Sequence, residues 1–211
     1  SAFAALHDVD LKSQSAQSLL EEAQSNYETA FYNRFEGRMR DKLGLEHCER
    51  AELLATIDRC FLFMQKESID FTHFFRRLGH CQPFNTALSF EARWAGLAPC
   101  LPDSEASRQF VSALEAQLQE GEKARHPMGQ TSSQAYAAQW SDQRLAANPS
   151  FVLRNWVLEE VIRSLEDEGD VGPLHKAMAL LKNPFDESPT SQAWLGAAPD
   201  WAKGLALSCS S

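Results

Sequence analysis

The sequence predicts an all-α fold, six to eight helices in an irregular bundle with an extended C-terminal tail. Three observations predict it. No stretch alternates apolar and polar residues with β-branched enrichment over several positions, so strand signals are nearly absent. Apolar residues instead recur every three or four positions through most of the chain. Helix caps and breakers punctuate those periodic runs: Gly44, Asp70, Gly79, Asn148-Pro149, Gly169 and Pro184.

The first element spans Ser15 to Leu43, where Leu20, Ala23, Tyr27, Phe31, Phe35 and Met39 form one apolar stripe and Gly44 supplies the stop. A second helix runs from Ala51 to Lys66, with Leu53, Leu54, Ile57, Cys60, Phe61 and Met64 on one face. Asp70 then caps a short third helix, "FTHFFRRL", because its carboxylate accepts from the free N–H groups of the first turn. That helix is expected to bury Phe71, Phe74, Phe75 and Leu78 and to leave the tips of Arg76 and Arg77 in water. A short helix near Glu91 to Gly96 and a longer one from Pro102 to Glu122 follow, the latter through Phe110, Leu114 and Leu118. "GEKARHPMGQTSSQ" is polar and broken by Gly and Pro, and reads as a flexible connection. In "NPSFVLRNWVLEEVIRSLEDEGD", Asn148 stands where an N-cap belongs and Pro149 where the first helical residue belongs. Val152, Leu153, Trp156, Val157, Ile162 and Leu165 are expected inward, and Gly169 closes the helix. A last helix from Val171 to Lys182 turns Leu174, Ala177, Met178 and Leu181 inward and stops at Pro184, leaving a tail that carries Trp194 and Trp201.

Composition narrows the function classes. The 211 residues are 44% apolar and 23% charged, enough for one good-sized domain or two small ones. Lys plus Arg number 20 against 29 Asp plus Glu, a net charge of −9, which argues against nucleic acid or an anionic membrane as the main partner. No apolar run approaches the roughly 18 residues that span a bilayer. "SAFAALHDVDLK" has no basic start or long apolar stretch and is not a complete signal peptide. Cys48, Cys60, Cys81, Cys100 and Cys209 are an odd, scattered set without CxxC spacing, which reads as a reducing compartment with at least one thiol free or paired outside the chain.

Chemistry-bearing patterns are sparse. The ten glycines form neither GxGxxG nor GxxxxGK[ST], so the sequence offers no phosphate-cradling loop. His47-Cys48, His80-Cys81 and His73 match no common zinc spacing, and adjacent helical residues point about 100° apart, which favours structural roles over a metal site. Asp70 and His73, three apart, could orient an imidazole for base work, but capping is the simpler role for Asp70. Arg154 and Asn155 interrupt an apolar face; a guanidinium there anchors a carboxylate or helix-end carbonyls, or else meets a ligand or partner domain. The acidic "EDEGD" from Glu166 to Asp170 reads as a solvated helix end.

Taken together, the order of the motifs is informative. "MRDKLGL" (39–45), "DFTHFFRRL" (70–78), "NPSFVLRNWV" (148–157), "NPFDE" (183–187), "APDW" (198–201) and a terminal "SCSS" occur in series. This series resembles the C-terminal part of the selenoprotein O family, pseudokinase-like protein adenylyltransferases, from about Tyr27 to Ser211. The chain departs from the family pattern at Ala198-Pro199, where a proline pair is usual, and in a compressed stretch ahead of Asn148.

The resemblance implies residues 1–211 of a larger protein, allowing two packed subdomains, 1–122 and 131–211, joined by the polar linker, with the kinase-like catalytic region absent. It implies that the full-length protein binds ATP with Mg or Mn and transfers AMP to Ser, Thr or Tyr hydroxyls of protein substrates, with no catalytic, cofactor or metal residue in this chain. Its partners would be the missing N-terminal kinase-like region and those substrates, and its location cytoplasmic if bacterial or mitochondrial if eukaryotic. The position of Cys209 is selenocysteine in many relatives, which implies redox chemistry and a disulfide with a cysteine of the kinase-like region. The Ser211 carboxylate two residues away disfavours thiolate, so Cys209 suits a regulatory partner better than a strong nucleophile. The alternative reading is a stand-alone helical interaction or thiol-redox module. A piece cut from a larger core is also expected to expose an apolar patch.

Overall fold

The structure, a computed structural model, describes residues 14–125, 134–187, 192–196, 198–202 and 205. Among these residues it is all helical and holds no strand: α1 (Gln14–Leu43), α2 (Arg50–Lys66), α3 (Phe71–Leu78), α4 (Phe90–Trp94) running into a 3₁₀ turn (Ala95–Leu97), α5 (Glu105–Arg125), α6 (Gln134–Ala147), α7 (Asn155–Glu168), α8 (Gly172–Lys182), α9 (Gln192–Leu195) and a 3₁₀ turn (Asp200–Ala202). No helix among the described residues is long and apolar enough to cross a membrane.

The chain divides into two compact units, 1–39 and 40–211. In the first, α1 is exposed at every residue from Ser18 to Arg34, so the predicted stripe of Leu20, Ala23, Tyr27 and Phe31 faces solvent.

In the second unit the core is built around α3, whose Phe74, Phe75 and Leu78 are buried alongside Leu53, Ile57, Cys60 and Met64 of α2 and Phe110, Leu114 and Leu118 of α5. Phe63 stacks on Phe110 at 4.2 Å, and Phe74 meets Phe110 edge-on at 6.0 Å, so aromatic pairs tie all three helices together. Gly44 ends α1 at φ +78°, where Trp140 and Arg144 of α6 occupy the space a Cβ would need. Arg144 is fully buried and pairs with Glu46, so α6 carries a charged side chain into the core that the sequence reading did not assign to any helix.

Three expectations are corrected. Asn148-Pro149 does not start a helix: α7 begins at Asn155, and Val152 and Leu153 are exposed while Phe151 is buried. Asn148 is instead completely buried, accepting from Lys42 Nζ at 3.1 Å and donating to the Lys42 carbonyl at 3.1 Å, a reciprocal pair that outcompetes capping. In α3, Phe71 is exposed and Arg76 buried, the reverse of the hydropathy expectation. On α7 and α8, Ile162, Leu165, Leu174, Met178 and Leu181 are exposed, because the contact between these helices is made by Trp156, Val157, Val161, Ala177 and Leu180. The linker core, residues 126–133, lies outside the described residues, though α5 extends to Arg125.

Candidate functional site: the anchor of the C-terminal tail

The motif-bearing segments meet around α3. Asp70 caps that helix as expected, accepting from the His73 amide at 2.7 Å through Oδ1. Its other oxygen, Oδ2, accepts from Arg154 Nη1 at 2.9 Å, and Arg154 Nη2 reaches the Trp194 and Leu195 carbonyls, each at 3.4 Å. One guanidinium therefore links the start of α3, the start of α7 and the last carbonyls of α9. Of the roles left open for Arg154, the structure shows anchoring, to a carboxylate and to helix-end carbonyls together.

Arg76, one turn along α3, does the same for the segment before the tail. Its Nη1 donates to the Leu145 and Asn148 carbonyls, both at 2.9 Å, and its Nη2 to the Phe185 carbonyl at 3.0 Å. Its Nε donates to Glu187 Oε1 at 3.0 Å, which also meets His80 Nε2 at 2.6 Å. Burial pushes the Glu187 carboxyl up, but His80 and Arg76 outweigh it and hold the group below the usual carboxylate range. Backbone bonds complete the joint, for the amides of Ser150 and Phe151 both donate to the Pro184 carbonyl, at 2.8 and 3.0 Å. "NPSF" and "NPFDE", far apart in sequence, are thus hydrogen-bonded neighbours.

Beyond this joint the tail is held by Trp194. Its ring is buried against Phe151, its Nε1 donates to Glu160 Oε2 at 2.7 Å, and Lys176 Nζ lies 4.4 Å from the ring centroid. Trp201 is half-exposed, meeting Trp156 edge-on at 6.4 Å with Arg163 over its face at 5.6 Å. Leu195, Ala202 and Leu205 pack on the same cluster.

The four described thiols are chemically quiet. Burial pushes Cys60, Cys81 and Cys100 each up to about 12. Burial and the Glu52 carboxylate raise Cys48 as well. Cys209, the one redox candidate of the sequence, lies outside the described residues. His73 is lowered, by burial first and by Arg77 and Arg154, with Asp70 opposing.

The charged groups around α3 are taken up within the chain itself. Among the described residues no three His, Cys, Asp or Glu side chains converge as a metal site. Arg76, Arg144 and Arg154 are committed to the chain's own carboxylates and carbonyls, and Lys42 to Asn148. The space at Gly44 is filled by Trp140 and Arg144. What these residues can do is fix where the tail leaves the helical body.

Most of the chain is matched by relatives. The family model described as protein adenylyltransferase SelO matches residues 5–182. The chain belongs to the SelO protein adenylyltransferase family. It is 36% identical over 191 residues to the protein nucleotidyltransferase YdiU of Bordetella pertussis, covering 88% of this chain and 34% of that protein. YdiU of Myxococcus xanthus is 32% identical over 189 residues, covering 90% of this chain and 35% of the relative. YdiU of Cupriavidus metallidurans is 30% identical over 199 residues, covering 94% and 32%. The chain spans about a third of the length of these SelO-family relatives. The family match ends at Lys182, so "NPFDE", "APDW" and Cys209 lie beyond it.

The hubs were half legible. Asp70 and Arg154 are legible from capping position and an interrupted apolar face; Asn148 is legible only as an N-cap, a role it does not take, and Arg76, Glu187, Lys42 and Arg144 carry no such signal. Helical periodicity gives no signal for Arg76, which stands about 100° around the helix from Phe75 and about 160° from Leu78.

Proposed function

We propose that these residues are the helical, non-catalytic portion of a SelO-type protein adenylyltransferase, supporting a kinase-like region and holding a redox-sensitive tail. In the longer protein that region would bind ATP with Mg or Mn and transfer AMP to Ser, Thr or Tyr hydroxyls of protein substrates. The observation that carries this reading is the commitment of the arginines around α3 to the chain's own anions and carbonyls, which leaves the motif-bearing centre as an anchor and not as a phosphate site.

The anchor gives the tail a defined reach. Cys209 is four positions on from Leu205, which packs on the α7–α8 cluster, so chain length alone limits the distance between their Cα atoms to about 14 Å. A tether that short suits Cys209 to exchange with one facing cysteine of the kinase-like region.

AMP transfer to protein, read by mass spectrometry, tests the assignment. The product of the whole reading frame is expected to be active and the 211 residues inactive; AMP transfer by the 211 residues alone refutes the scaffold role. Alkylation at pH 8 tests the tail: Cys209 is expected to label quickly and Cys48, Cys60, Cys81 and Cys100 slowly, because their burial disfavours thiolate. Cys209→Ser in the longer protein should remove oxidative control while leaving the reduced activity unchanged. Loss of an activity measured in the 211 residues alone on the same substitution would favour a self-contained thiol module.

A further inference from the structure

Two starts compete for α7. The one observed is Asn155, preceded by Arg154 at φ −87° and ψ 156° with no side-chain cap, because a guanidinium has no acceptor to offer the first-turn amides. Six residues before Arg154, Asn148 and Pro149 carry a cap and a first helical residue in the order a helix start requires. Every group that cap would use is diverted. The Asn148 side-chain oxygen accepts from Lys42 at 3.1 Å, and its carbonyl accepts from Arg76 Nη1 at 2.9 Å. The amides of Ser150 and Phe151, at the second and third positions of the unformed turn, donate to the Pro184 carbonyl. The Ser150 hydroxyl donates to the carbonyls of Pro184 and Asp186. Apart from Lys42, these partners belong to α3 or to the 183–187 segment, which Arg76 itself fastens to α3 through the Phe185 carbonyl and Glu187.

We propose that residues 149–154 are a two-state hinge, held extended while the 183–187 segment is docked on α3 and folding into added turns of α7, capped by Asn148, when that segment leaves. The two states differ in length. Six residues reach up to about 20 Å when extended and about 9 Å as helix, so the change draws α7 towards α6 by up to about 11 Å. Helix α6 stays with α3, since Ser141 donates to the Gly79 carbonyl and Leu145 packs where a Gly79 Cβ would lie. The Arg154 bridge to Asp70 spans the same gap and has to part as well, so undocking at Arg76 is coupled to undocking at Asp70 through one chain segment. Side-chain placement sets the balance. Leu153, 37% exposed in the extended state, falls in line with the buried Val157 and Val161 in a lengthened helix. Phe151 is the counterweight, because it is buried against Trp194 only while the segment is extended, and this keeps the lengthened state minor.

Carbon-13 saturation-transfer NMR on the Cα atoms of residues 150–154 tests this in the 211 residues, since a minor state populated at about 0.1–10% reports its own chemical shifts. Glu187→Gln and Ser150→Ala weaken the strap in two different places, and each is expected to raise a minor state with helical shifts about three- to tenfold in population. Asn155→Pro separates the two starts. Proline suits the first position of the observed helix and the extended Arg154 before it, but it interrupts the lengthened helix. Added to either strap variant, it should remove the helical minor state and leave the major-state shifts of α7 and α8 in place. A minor state with coil-like shifts, the absence of any minor state from both strap variants, or helical shifts that persist beside Asn155→Pro would each overturn the hinge. AMP transfer enters none of these readouts, so the hinge and the adenylyltransferase reading fail separately.

Discussion

Asp70 caps α3 with one oxygen and holds Arg154 with the other, so substitutions there separate two contributions that truncation would merge. Asp70→Asn keeps an acceptor for the His73 amide and loses the charge facing Arg154; Asp70→Ala loses both. The cap is worth about 1 kcal/mol. The pair is mostly buried, with side chains 13% and 20% exposed, which places it between surface pairs at about 0–1 kcal/mol and fully buried ones that cost about 3–5 kcal/mol to break. About 2 kcal/mol is therefore expected for Asp70→Asn and about 3 kcal/mol for Asp70→Ala. Arg154→Met should also cost about 2 kcal/mol, and the double variant Asp70→Asn with Arg154→Met should fall short of additivity by about 1–1.5 kcal/mol. Urea unfolding followed by tryptophan fluorescence reads all four. A coupling below about 0.5 kcal/mol would refute the ion pair as the link, and equal costs for Asp70→Asn and Asp70→Ala would refute the cap. Limited proteolysis supplies a separate readout: Arg154→Met should release the tail, since it also frees the Trp194 and Leu195 carbonyls.

Other sites give contrasts of sign or size. Gly44→Ala should destabilise by about 3 kcal/mol, combining a left-handed backbone with displacement of the Arg144–Glu46 pair, whereas Gly37→Ala, with nothing within 4 Å of its Cβ, should stabilise α1 by up to about 1 kcal/mol in the same unfolding assay. Trp194→Ala, removing a side chain only 6% exposed, should cost about 3 kcal/mol or more, and Trp201→Ala, 47% exposed, under about 1 kcal/mol; similar costs would show that both tryptophans anchor the tail equally. Because the folded-state pKa of Glu187 is depressed, its stabilisation is complete above the ordinary carboxylate value near 4.5 and is lost as pH falls through the lower folded value. Glu187→Gln should therefore flatten the loss of stability below about pH 4.5, and an unchanged acid limb would refute the Arg76–Glu187–His80 joint.

How far the sequence could be read depended on the kind of signal. The Leu43–Gly44 stop and the Asp70 cap were legible because each is set within one turn of backbone. The helix of 134–147 was missed because its inward residues are Ala137, Trp140 and the charged Arg144, which do not read as an apolar face. Asn148-Pro149 misled for a related reason: an N-cap signal is worth about 1 kcal/mol, and the reciprocal bonds with Lys42, 106 residues away, together with the Pro184 carbonyl, outweigh it.

Sequence alone determined the helical class, most helix ends and the family, since periodicity, caps and ordered motifs are properties of the linear chain. Only the tertiary structure decided which apolar faces are covered and which arginines are buried. Hydropathy measures the cost of a side chain in water, whereas Arg76, Arg144 and Arg154 lie inside because carboxylates and carbonyls from distant segments satisfy their donors there. By the same token Leu20, Tyr27 and Phe31 of α1 read as core in the sequence and are at least half exposed in the structure.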